Sequence, residues 1–354
     1  MLSTIKTMLL AEYSVSQWVL VFFMYSFAGW CWEVMLSLVR RRQFVNRGFL
    51  TGPILPIYGF GALSVLLTCV PVKDCVIAVA LVGTLAASVL EYVTGFAMER
   101  LFHVRYWDYS SHRLNLNGYI CLMSAATWAV FSAVIVCVVH PFFQPYVSRI
   151  SSVPAATLAV TLSVFAVLDT VFAVRRALDL RALLESMERY AKELEALYGG
   201  LGSIGDRVGD MIRAFAEQVD ERREGLSAGL EHITAARDRV AGLLAQKRVN
   251  MEEGLRERLA GFESILSDVA DFLPDTAALR AEVQAAKARY DRQSEALRQA
   301  RARRLKRAGK VLRRNPTASS RWYGGEIEAL RQAKEGEDTL YEPPKGESAE
   351  NESK

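Results

Sequence analysis

The sequence predicts an all-α membrane protein: a polytopic membrane helix bundle of five transmembrane helices, N-terminus outside and C-terminus inside, followed by a cytoplasmic coiled coil or helical hairpin. Three observations carry that expectation. Apolar runs lie at about 17–39, 52–72, 75–98, 118–140 and 153–174, each near the ~20 residues an α-helix needs to cross hydrocarbon. The mean hydropathy of +0.12 hides a split, because almost all apolar mass precedes residue 175 and almost all charge follows it. Past residue 178, apolar positions alternate spacings of four and three, as in Leu180, Leu184, Met187, Ala191, Leu194, Tyr198 and Leu201, which is a heptad seam.

The expected division is an extracytoplasmic segment 1–16, a membrane bundle 17–175, a cytoplasmic helical region 176–314 and a disordered polar tail 315–354. Lys6 is the only basic residue before the first run, and the run is too long for the core of a cleavable leader, so it is read as a span. Arg40, Arg41, Arg42 and Arg47 crowd the first loop, Arg100, Arg105 and Arg113 the third, and Arg175, Arg176 and Arg181 follow the fifth run. The second and fourth loops hold only Lys73 and Arg149 as basic residues. Basic residues collect on the cytoplasmic side, which sets the orientation.

Pro53 and Pro56 should bend or interrupt the start of the second span, since proline lacks the N–H that a helix interior needs. Gly48, Gly52, Gly59 and Gly61 fit either close helix packing or an irregular segment lining a water-filled cavity. In the loop 105–118, Tyr106, Trp107 and Tyr109 suit an interfacial aromatic belt, whereas Asp108, His112 and Asn115 are not explained by one.

The heptad slips near residues 246–251, and Pro274 with Asp275 ends one helix and can start another. Residues 276–312 then either fold back as a hairpin or pair between chains. The basic run 301–314 fits a solvated helix end, or contact with anionic lipid or ribosomal RNA. The net charge of +4 is too small to imply a nucleic-acid partner. Gly200, Gly202 and Gly205 formally match a dinucleotide fingerprint, but a helical seam leads in where a strand is needed, so a glycine hinge between helical segments is the reading. Asp206 and Arg207 stand where a P-loop needs Lys and Ser or Thr, so no ATPase site is expected. Neither a metal site nor a cofactor is expected from the five cysteines and four histidines at their spacings, and no catalytic motif is recognisable.

The acids inside the spans carry more information. Glu33 shares a helix face with Ser26, Gly29 and Trp30; Glu91, Gly95 and Glu99 repeat every four residues; Asp169 lies in the fifth run. Each ionisable group costs roughly 2.5–3.5 kcal/mol to insert, so these should face the bundle or a wet cavity. They fit either a polar pathway or a structural charge network closed by Arg47, Arg100 or Arg105. Together with Asp108 and His112, the candidate residues are Glu33, Arg47, Glu91, Glu99, Arg105, Asp108, His112 and Asp169.

Four blocks in order, Ser26-Phe-Ala-Gly-Trp-Cys-Trp-Glu33, residues 44–62, Glu91-Tyr-Val-Thr-Gly95, and residues 105–110 with 115–122, resemble the bacterial family described as putative ABC-transporter type IV, or CmpB-like. The resemblance covers residues 17–140 and implies a multi-pass cell-membrane protein of permease type, with a separate ATPase subunit as partner and the substrate unknown. Five spans are few for a pore, so a homo-oligomer or a coiled-coil partner is expected. The alternative is a membrane-anchored scaffold or sensor acting through the cytoplasmic helices.

Overall fold

The computed structural model describes residues 13–42, 44–220, 235–243, 251–270 and 276–332. It is mostly helical and resolves into two compact units, Met1–Ala182 with Lys306–Gly324, and Leu183–Leu305 with Gly325–Lys354. The expected slip at 246–251 falls largely, and the Pro274 turn wholly, outside the described residues.

In the first unit, α1 (Val15–Arg41) starts at a capping box in which Ser14 accepts from the Gln17 amide and Gln17 reaches back to the Ser14 amide. Residues 44–55 are irregular, and the next helix, α2 (Pro56–Cys69), starts only at Pro56, with a 3₁₀ turn at Val70–Val72. Proline at the first helical position loses no hydrogen bond there. Then follow α3 (Val76–Phe102), a two-residue hairpin of β1 (Asn115–Leu116) and β2 (Ile120–Cys121), α4 (Leu122–Val134), a π turn (Ile135–Val139), α5 (His140–Ser148) and α6 (Ser152–Asp220). The π turn sits just before Pro141, where the missing N–H forces the helix to re-register.

Among the described residues, four helices are long and apolar enough to cross a membrane: Val15–Arg40, Val76–Phe102, Leu122–Ser148 and Ser152–Ala214. The expected second span is the shorter apolar helix Pro56–Val72. At 1.5 Å per residue it reaches about 25 Å, against ~30 Å of hydrocarbon. The expected 118–140 run starts later and ends later, because Asn117 (φ 54°) and Gly118 (φ 76°) turn the chain into the hairpin before the helix begins.

Helix α3 shows why the bundle holds. Val79, Gly83, Ala87, Glu91, Gly95 and Glu99 are buried at every fourth position, while Ile77, Leu81, Leu85, Val89 and Val93 are exposed along another face. A row of small residues lets the neighbouring helices approach, and the apolar row suits lipid. At α2, a Cβ on Gly59 would fall on Ser26 Oγ and 2.7 Å from the Phe22 carbonyl, so close packing explains that glycine. The apolar part of α6 is mostly exposed, held by Ala155 and Ala159 against Leu20.

In the second unit, Leu183, Leu184, Leu194, Leu201 and Ile212 of α6 are buried, as are Leu255, Leu259, Phe262 and Leu266 of α7 (Met251–Asp268). Helix α8 (Thr276–Arg314) runs antiparallel to α7: Tyr290 bonds Glu252, Lys287 bonds Glu263 at 2.7 Å, and Arg280 bonds the Leu266 carbonyl at 2.7 Å. These contacts join α7 and α8 of one chain. The glycine hinge is corrected: α6 runs unbroken through Gly199–Gly205, and Gly199, Gly200 and Gly202 have open space around them. The helix ladder alone satisfies the backbone there, so exposed glycines weaken it without breaking it.

The disordered tail 315–354 is corrected in its first part. Residues 315–323 pack into the first unit, with Ala318 and Tyr323 buried, and α9 (Gly324–Gln332) follows. Residues 333–354 lie outside the described residues.

Candidate functional site

The acids fall into three clusters of the first unit. In the first, α1 presents Glu33 and α3 presents Glu91. Arg47 Nη1 stands 3.0 Å from Glu33 Oε2, and Tyr58 Oη donates to Glu33 Oε1 at 2.8 Å. Glu91 is 7% exposed; Trp128 Nε1 donates to its Oε2 at 3.1 Å and Tyr109 Oη to its Oε1 at 3.4 Å. No ion pair reaches Glu91 among the described residues. The Tyr58 and Trp128 rings lie 6.0 Å apart and bridge the two acids. Glycines seat both rings: a side chain at Gly29 would strike Tyr58, and one at Gly61 would come 2.7 Å from Trp128.

The second cluster is built on Arg105, itself 2% exposed. Its Nε stands 2.8 Å from Glu99 Oε2, Nη1 bonds Asp108 Oδ1 at 3.0 Å, and Nη2 bonds the Asn117 carbonyl at 2.9 Å. The guanidinium lies over the Tyr119 ring at 4.9 Å. The returning segment completes the cluster. Arg105 and Ser319 exchange backbone hydrogen bonds of 2.8 and 3.0 Å, Ser319 Oγ donates to Asp108 Oδ2 at 2.7 Å, and Arg321 stands 3.7 Å from Glu99. Trp322 stacks on His103 at 4.8 Å. Burial pushes the Asp108 carboxyl up, but the donors Ser319 and Ser110 with the Arg105 charge outweigh it and hold the group below its usual range. Burial lowers Arg105, and its bond to Glu99 with the two acid charges more than restores it.

In the third cluster, Asp169 Oδ2 accepts the Thr51 and Gly52 amides at 2.7 Å each, and Arg176 stands 3.6 Å away. A carboxylate thus satisfies irregular backbone that prolines keep out of a helix. The sequence pointed to no partner for Asp169, because these donors are main-chain groups 117 and 118 positions away.

The structure does not bring Asp108 and His112 together: Asp108 is held by Arg105, Ser110 and Ser319, while the His112 ring packs edge-on to Tyr109 at 5.6 Å. Tyr58, Trp128, Ser319 and Arg321 were missed by sequence reasoning. A tyrosine in the first turn after a Pro-Gly lead-in, and adjacent Trp322 and Tyr323 in a polar stretch, are the signals that could have found them.

Long apolar helices enclosing a buried charge network define a multi-pass membrane protein. Residues 20–174 match the model of the family described as putative ABC-transporter type IV. The match runs through the last apolar stretch, beyond the 17–140 of the resemblance, and leaves α7, α8 and α9 outside it. No curated protein and no solved structure matches the chain.

Proposed function

We propose that the chain is the permease-type membrane component of a bacterial transporter, a five-span bundle with N-terminus outside and the region after residue 175 in the cytoplasm, driven by a separate ATPase subunit. The observation that carries this reading is Glu91, a buried carboxylate met by two neutral donors and no cation among the described residues. A buried acid without a fixed counter-charge suits an exchanging proton, cation or basic substrate. Glu33, Tyr58, Trp128 and Tyr109 extend the polar track, and two copies side by side would supply the spans that one lacks. Packing of residues 103–117 with 315–323 supports placing the third loop and the region after the last span on one side of the membrane. Purification from native membranes should retain a nucleotide-binding subunit, and deletion should change solute uptake in a way Glu91→Gln reproduces. No such subunit together with unchanged uptake refutes the reading.

The second reading, a membrane-anchored scaffold or sensor, is favoured by the self-packed helices of the second unit, which lie outside the family match. Replacing residues 184–304 by a short linker tests it, since Asp179 and Arg307 are already 3.1 Å apart. Full function in that variant removes the scaffold.

A further inference from the structure

A small cleft opens between residues 48–49, Tyr106, the stretch of α6 around Arg176, and the end of α8, with Lys310 and Arg314 on its wall. Arg176 Nη2 and Arg314 Nη1 donate to the same hydroxyl, Thr51 Oγ1, at 2.7 and 3.1 Å. Two guanidinium groups are thereby held side by side. Asp169 is the one acid in contact with them among the described residues, 3.6 Å from Arg176 and already accepting two backbone amides. Arg314 and Lys310 are in no ion pair among the described residues. Burial and the neighbouring Arg176 charge lower the Arg314 guanidinium, so the cleft repels its own cations.

We infer that this cleft binds a phosphate-bearing anion, in the first place the headgroup of an anionic phospholipid. Three cations against one acid leave a charge of about +2 for a ligand to neutralise, and arginines offer forked donors that match phosphate oxygens. The cleft lies where α3 ends at Phe102 and the apolar run of α6 gives way to Arg175 and Arg176, which is headgroup level for a helix crossing hydrocarbon. Phe49 and Tyr106, edge to face at 5.4 Å, are its aromatic lining. Arg176 continues at helical spacing into exposed Phe172, Leu168 and Phe165, a track along which acyl chains can lie. A soluble phosphate ester would use the cations and leave that track unused.

The test uses the full-length protein, delipidated in neutral detergent, with native mass spectrometry against phosphatidylglycerol, phosphatidylcholine and inorganic phosphate. Wild type should prefer phosphatidylglycerol over phosphatidylcholine at least tenfold. Lys310→Gln removes a charge without removing any described protein contact and should weaken phosphatidylglycerol about fivefold, and Lys310→Gln with Arg314→Gln about thirtyfold, at about 1 kcal/mol per basic group. Lys310 dependence confined to phosphatidylglycerol identifies a lipid site; the same dependence for inorganic phosphate identifies a site for soluble phosphate compounds, and either supports the anion site. Equal binding of the two lipids, or indifference of both ligands to Lys310, overturns it.

Discussion

Replacing Arg105 by Met tests whether one buried guanidinium holds the third loop and the returning segment together. The Arg105 and Glu99 side chains are 1% and 2% exposed and 2.8 Å apart. Removing one partner of such a pair leaves a bare buried charge, at about 3–5 kcal/mol. Arg321, 3.7 Å from Glu99 but more than half exposed, recovers about 1 kcal/mol at most. A net loss of about 3 kcal/mol corresponds to roughly a hundredfold in the local opening equilibrium. Hydrogen exchange of the full-length protein in nanodiscs reads this directly: the Ser319 amide, bonded to the Arg105 carbonyl, and the Tyr109 amide, bonded to the Gly118 carbonyl, should both exchange about a hundredfold faster. Adding Glu99→Gln removes the stranded charge, and the double variant should recover more than half of the protection, because replacing both ions of a buried pair is close to neutral. Equal exchange in the single and double variants would show that the ion pair is not what orders the loop.

Three further outcomes follow from the same geometry. Asp108 titrates below its unfolded value of about 3.9, so its contribution is complete above that value and is lost as pH falls through the lowered one. Proteolysis within residues 315–323 should stay slow from pH 8 to about 5 and accelerate toward pH 3 with an acid-stable protease, and Asp108→Asn should flatten that profile. Glu91→Gln should lower stability in nanodiscs by only about 1 kcal/mol, since an amide oxygen still accepts from Trp128; a loss above about 3 kcal/mol would mean that a fixed cation pairs with Glu91. Gly59→Ala should cost about 1–3 kcal/mol by overpacking against Ser26 and Phe22, whereas Gly200→Ala, in an unbroken helix with open space, should gain up to about 1 kcal/mol. Destabilisation by Gly200→Ala in thermal unfolding would restore the hinge.

The helices were legible because run length and apolar content are local properties, and Glu33 with Arg47 was legible because loop arginines lie near the ends of the spans that carry the acids. The four-and-three spacing picked out Leu180, Leu184, Leu194 and Leu201, which are buried, while spacing alone names no partner helix. Glu91 was legible as a buried acid, but its neutral donors come from α4 and from the loop before β1, which no spacing rule connects. Asp169 has no basic partner within its own span, and its main-chain donors, the Thr51 and Gly52 amides, carry no sequence signal. Residues 315–323 were read as tail because composition averaged over a long polar stretch conceals a few residues that dock: Ala318, Trp322 and Tyr323 are outnumbered by their neighbours, yet the backbone exchange at Ser319 and the stack on His103 fix them.

The pairing of residue 105 with residue 319 also sets an order of assembly during synthesis. The last apolar run is complete at about residue 174, and some 145 further residues must be made before Ser319 exists. At ~5–20 residues per second that is about 10–30 s. Throughout that interval Asp108 lacks the Ser319 hydroxyl and His103 lacks the Trp322 stack, so a chain stalled or truncated before Ser319 leaves both contacts unmade.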